Sequence, residues 1–165
     1  MSSSNSTKIV IGVQASEFLE IECEEKKFEL HDVKSGKATG RFQTDVNYYL
    51  VNKKTKDKIL LVKDSYSKYG YKIYSESVAE ILNLNSEPNE GEFGVKHVGS
   101  YYTATQLDHI IVGRFVKYLS PQSTDCGFDS LTFLKISSMF ELAKEDLLKM
   151  GCDAKVKIFF DNYIG

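Results

Sequence analysis

Apolar and polar positions alternate with period two through much of the first half of the chain. They recur at three- and four-residue steps near its end. This predicts an α+β fold: an antiparallel-rich β-sheet packed by a C-terminal α-helix that leads into a final strand. Lys8–Val13 (KIVIGV) is β-branched and apolar and reads as a strand. Leu19, Ile21 and Cys23 alternate with Glu20, Glu22 and Glu24, and Phe28 and Leu30 continue after Lys26-Lys27. That pattern predicts a half-buried hairpin with one face in the core and an acidic face in water. Residues 34–40 (KSGKATG) form a turn-rich connection. A second hairpin is expected from Tyr48–Val51 and Ile59–Lys63, around the polar stretch Asn52–Lys58, with Tyr66–Tyr74 extending it or adding a strand.

Ser77–Leu84 reads as a short helix with Val78, Ile81 and Leu82 on one face, and Asn85–Gly91 (NSEPNEG) as a loop. Residues 93–102 look extended. In the next segment Leu107, Ile110, Ile111, Phe115 and Leu119 fit helical spacing, with Thr105 and Asp108 resembling a capping box. The β-branched and aromatic content of 110–118 favours instead a strand over Ile110–Tyr118, ended by Pro121. A helix over about 131–150, capped by Asp129 or Ser130, presents Ile136, Met139, Phe140, Ala143, Leu147 and Met150 on one face. Gly151 is placed to end it in a left-handed conformation. Lys155–Asp161 then alternates as a strand with Val156, Ile158 and Phe160 on one face. Residues 1–7 read as a flexible tail and 8–165 as one domain, any sub-boundary falling in loop 85–91.

Composition narrows the function classes. A chain of 165 residues can bury roughly 70% of its unfolded surface and needs no disulfide or metal to hold a core. A net charge of −2 argues against a dedicated duplex-DNA binder. No apolar stretch is long enough for a membrane helix, and MSSSNST lacks the features of a secretory signal. Cys23, Cys126 and Cys152 are odd in number and far apart, which fits a reducing compartment; a cytoplasmic location is expected.

The charge is unevenly distributed. Residues 17–32 carry seven acidic side chains against two lysines, a net of −5. Residues 53–72 carry seven lysines against two aspartates, a net of +5. The basic segment is threaded with tyrosines. Its candidate binding residues are Lys63, Tyr66, Lys68, Tyr69, Tyr71, Lys72 and Tyr74, with Tyr48, Tyr49, Tyr101 and Tyr102 as candidates for the same surface. Lysines that meet phosphates beside rings that stack bases suit single-stranded nucleic acid. The same residues serve equally as ordinary strand formers with edge-guarding lysines, or as a Tyr-rich protein interface.

Motifs for chemistry are sparse. His31, His97 and His109 share no metal-ligand spacing with one another or with the cysteines, and no metal or cofactor is expected. Cys126, beside Gly127 and a helix start, is the one candidate nucleophile, with His97 or His109 as base; otherwise it is a small residue in a turn. No phosphate-binding loop or serine-hydrolase motif occurs. The expectation is a non-enzymatic binding or assembly module acting through protein–protein contacts. Its concrete form is self-association, the acidic hairpin meeting the basic Tyr-rich segment, in a homo-oligomer or with a protein partner. A single-stranded nucleic-acid binder and a thiol-dependent enzyme are the alternatives.

The terminal helix, the turn Gly151-Cys152-Asp153-Ala154 and the strand from Lys155 resemble the end of the small bacterial YbjQ-like domain. The likeness covers roughly the last 30 residues. It departs at Cys152, where that family favours alanine, and at Lys155 and Lys157, which replace apolar residues. The resemblance implies a strand–helix–strand unit of a family described as heavy-metal-binding and thought to form rings. Only a tendency to oligomerise is carried over to this chain, and no site residue.

Overall fold

A computed structural model describes residues 5–62, 71–99, 106–119 and 132–164. Among them the chain forms seven strands and two α-helices, in the order β1 (Asn5–Gln14), β2 (Leu19–His31), β3 (Ala38–Asn52), β4 (Lys58–Val62), α1 (Ser75–Leu82), β5 (Phe93–His97), β6 (Ile110–Leu119), α2 (Phe133–Lys149) and β7 (Lys157–Ile164). The strands make two antiparallel sheets, one ordered β5-β6-β1-β7 and one ordered β2-β3-β4.

The main core lies on one face of the four-stranded sheet. Ile9, Ile11 and Val13 of β1, Val95 of β5 and Ile110, Val112 and Val116 of β6 meet Ala143 and Leu147 of α2 there. Val78 and Ala79 of α1 and Leu19 and Leu50 from the base of the second sheet complete the cluster. Residues on both sides of loop 85–91 therefore share one core. On the opposite face of the sheet Val10, Ile111 and Phe115 form a smaller cluster, against which Phe159 and Val98 pack. β6 is a strand because both of its faces are buried, so its apolar run cannot distinguish helix from strand by periodicity. The Leu107–His109 stretch that looked like a helix start is a single 3-10 turn leading into it.

Three glycines, Gly94, Gly113 and Gly12, lie side by side across β5, β6 and β1. A Cβ on Gly113 would stand 2.1 Å from the Ile11 carbonyl oxygen and 2.6 Å from Gly12 Cα, so these two strands pack backbone against backbone. One ion pair ties α2 to the sheet: Arg114 donates through Nε to Asp146 Oδ2 at 2.9 Å, and its NH1 donates to the Gly91 carbonyl at 2.7 Å.

The expected face of α2 is the one that packs on the core. Its cap differs from the expectation. Thr132, not Asp129 or Ser130, is the N-cap, and its hydroxyl accepts from Lys135 N at 3.1 Å. Gly151 ends the helix at φ +82°, and Cys152 N closes back on the Leu147 carbonyl at 2.9 Å.

One further expectation is corrected and one is borne out. Residues 19–30 are not a hairpin in themselves but part of one long strand, β2, and the turn comes at 32–37. Ile158 and Phe160 do share the face of Ile9 and Ile11, their partners across β1. Only Val156 is buried, however, because α2 lies over β6 and β1 and leaves β7 uncovered; Phe160 is 65% exposed.

Candidate functional site

Of the residues expected to bind, Lys63, Tyr66, Lys68 and Tyr69 lie outside the described residues, as do Tyr101, Tyr102 and Cys126. Tyr71, Lys72 and Tyr74 are placed. They sit in an extended stretch before α1 that pairs with no strand among the described residues. Tyr71 is half-buried with its ring 4.6 Å from that of Tyr48, and Ile73 beside it is buried. Lys72 and Tyr74 point to solvent. Tyr71 therefore spends its ring on the core, and Tyr48, itself 4% exposed, offers no stacking face. Burial pushes the Tyr48 phenol up from its ordinary value.

The acidic face of β2 is present as expected. Glu20 and Glu22 turn outward, and β2 is an edge strand. Part of the basic segment is already engaged within the same chain. Lys58 reaches across β3 to Glu22 at 2.9 Å and lies over the Tyr49 ring at 5.5 Å. The hydrogen bond to Glu22 holds the Lys58 ammonium above its usual range. Lys53 donates to the Ser16 carbonyl at 2.7 Å. Lys54 and Lys56 remain exposed on the β3–β4 turn.

The feature with the clearest interaction geometry was not read from the sequence. Among the described residues β4 pairs with β3 as far as Tyr48, which meets Val62. Beyond the Cys23–Tyr48 pair, β2 and β3 run on as an arm, two-stranded among the described residues, to the turn at 32–37. Eight further residues of β2, Glu24 to His31, carry it about 25 Å beyond that point. The tip is well formed. Asp32 Oδ1 accepts from Lys34 N at 2.7 Å and Ser35 N at 3.1 Å, which holds its carboxyl below the usual range. Thr39 Oγ1 donates to the Leu30 carbonyl at 2.7 Å across the strand ends.

The arm has no core of its own, yet it carries apolar side chains. Phe28 is 41% exposed, Phe42 59% and Val33 fully exposed. A bulge between Glu29 and His31 shifts the register. Leu30, Phe42 and Val46 then line a shallow groove of about 520 Å³ with Gln43 and Thr44. Lys27 lies over the Phe42 ring at 5.0 Å. The signal in the sequence was the change of parity between Cys23 and Phe28. It looked like a turn at Lys26-Lys27, but it marks where the strand leaves the core.

Other concave regions carry less chemistry. A cleft of about 480 Å³ opens where the β3–β4 turn meets the ends of α1 and α2, lined by Phe18, Lys54, Asn83 and Cys152 among others. Burial pushes the Cys152 thiol up, with the charges of Glu17 and Asp153 acting the same way, so it is a poor nucleophile at neutral pH. Among the described residues no group of three or more His, Cys, Asp or Glu is arranged to hold a metal ion. No helix among them is long and apolar enough to cross a membrane. No protein-family model matches the sequence, and comparison with curated proteins and with solved structures finds no match.

Proposed function

We propose that this protein is a non-enzymatic assembly module and that the β2–β3 arm is its contact element. The occupant is the basic, Tyr-bearing segment of a second copy. The observation that carries the reading is the arm itself, among the described residues a two-stranded ribbon that leaves the core while bearing exposed Phe28, Leu30, Val33 and Phe42. An isolated two-stranded ribbon is marginal in water, and exposed apolar groups on one contribute nothing to its own fold. Both gain stability when a partner covers them. Charge complementarity names the partner. Along β2, Glu20 at the foot of the arm and Glu25 on it are exposed acids, whereas the segment from Lys53 onward is a net cation with Lys54, Lys56 and Lys72 exposed. Such contact is head-to-tail and does not close on itself as a dimer does.

Light scattering across protein and salt concentration tests the reading. The expected result is an average mass that grows with concentration at low salt and falls once ionic strength exceeds physiological, because exposed charges are then screened. Replacing Leu30 and Phe42 by serine should abolish the growth without lowering the melting temperature. A mass unaffected by both salt and these substitutions would overturn the proposal. Capture of nucleic acid, read as excess absorbance at 260 nm, would move the function to the Lys/Tyr segment alone.

A further inference from the structure

We infer that β7 is a second, two-fold interface, through which two copies join their four-stranded sheets edge to edge. β7 ends the order β5-β6-β1-β7, so its outer edge pairs with no strand among the described residues. At its centre the edge carries apolar Ile158, Phe159 and Phe160, flanked by Lys157 and Asp161. Ile158 is 37% exposed and Phe160 65%, on the face where α2 packs but beyond the strands it covers. On that same face Leu148 of α2 is 53% exposed. A groove of about 360 Å³ beside it is lined by Phe140, Leu148 and Val156.

The sequence of the edge fits a second copy of itself. In a two-fold antiparallel pair, the positions facing each other sum to twice the residue on the axis. Centred on Phe159, Ile158 of one copy stands opposite Phe160 of the other, and Lys157 stands opposite Asp161, each pairing occurring twice. Cross-strand partners share a face, so the two Ile–Phe contacts form on the side that is bare in one copy. Centring on Ile158 puts Lys157 against Phe159, and centring on Phe160 puts Phe159 against Asp161. The Ile158 centre also pairs Val156 with Phe160 and Lys155 with Asp161, but within Lys157–Asp161 the Phe159 register alone sets no charge opposite a phenylalanine. Lys157 and Asp161, charges that repel a foreign strand, attract this one. Of the other edge strands, β2 alternates apolar positions with glutamates and has no such centre.

This interface is independent of the arm, and its test is made in a chain whose arm carries Leu30→Ser and Phe42→Ser. Sedimentation velocity should show a monomer–dimer equilibrium that stops at the dimer. Lys157→Asp alone, or Asp161→Lys alone, opposes like charges at both places and should weaken dimerisation roughly tenfold or more. Mixing the two variants restores opposite charges at both places, and a heterodimer of near-original affinity should form. Asp161 faces Lys8 across β1, so a thermal melt of each variant monitors folding; the mixing experiment reads the interface even where one variant is somewhat less stable. A chain that is monomeric up to its solubility limit, or a dimer indifferent to Lys157→Asp, would overturn the inference. Either result leaves the arm reading to its own salt titration.

Discussion

Gly113→Ala is the substitution whose cost follows most directly from the structure. The new methyl carbon would lie 2.1 Å from the Ile11 carbonyl oxygen, 2.6 Å from Gly12 Cα and 2.7 Å from the Ile11 carbonyl carbon. All three are backbone atoms of the paired strand, so no flexible side chain can yield. Relief requires β1 and β6 to separate by about 1 Å at the centre of the sheet, with loss of ladder hydrogen bonds and of close packing around Ile11 and Val112. Overpacking of this kind costs typically 1–3 kcal/mol, and the central position argues for about 3 kcal/mol. For a chain of this size that lowers the melting temperature by roughly 6–12 °C. Gly36→Ala is the matched control. Gly36 sits at φ +68° in the arm's turn with nothing within 4 Å of the added carbon, so only the left-handed backbone penalty applies, about 1 kcal/mol. Urea denaturation of both variants, followed by circular dichroism, makes the comparison. If Gly113→Ala is no more destabilising than Gly36→Ala, the close approach of β1 and β6 is not part of the folded state.

Other consequences follow from single contacts. Asp146→Ala leaves the Arg114 guanidinium, 22% exposed, with the Gly91 carbonyl as its remaining partner, and should cost about 1–3 kcal/mol in chemical denaturation. The same substitution should speed proteolysis within loop 85–91, which Arg114 holds to the sheet. The cysteines should differ in alkylation followed by peptide mass spectrometry: exposed Cys23 reacts first and Cys152 slowly at neutral pH. Because the folded Cys152 thiol is raised, its thiolate fraction grows only at more alkaline pH, so its rate should climb there; equal rates at neutral pH would contradict its burial. Leu147→Ala, at a residue 1% exposed, should cost about 3–5 kcal/mol, whereas Phe140→Ala, at the partly open edge of the same helix face, should cost less.

Much of the fold could be read because local pattern and burial agree. The face of α2, the β3–β4 hairpin, α1 and the left-handed stop at Gly151 all follow from residues that pack or turn where their spacing says they should. What covers β2 and β7 was not legible, for one reason. Alternation reports which residues share a face, not whether anything covers that face. Ile158 and Phe160 alternate correctly and stay exposed because α2 lies elsewhere; Phe28 and Phe42 lie on a ribbon that no third strand among the described residues covers. The charge asymmetry was equally legible, but not that Lys58 and Glu22 meet within one chain, because strand adjacency is a property of the sheet and not of the sequence separation between them. The arm follows from strand lengths that differ, and no single segment carries that information.

The most direct test removes the arm. In a Lys157→Asp background, where pairing through β7 is weakened, residues 24–47 are replaced by Asn-Gly so that a tight turn joins Cys23 to Tyr48, which already face each other. Light scattering at low salt then compares this chain with its full-length counterpart. The account predicts that the shortened chain melts within about 1 kcal/mol of the full-length one, since the removed residues bury little, and stays monomeric while the full-length chain associates. A shortened chain that associates as strongly as the full-length one, or a full-length chain that is itself monomeric at every concentration, would contradict it.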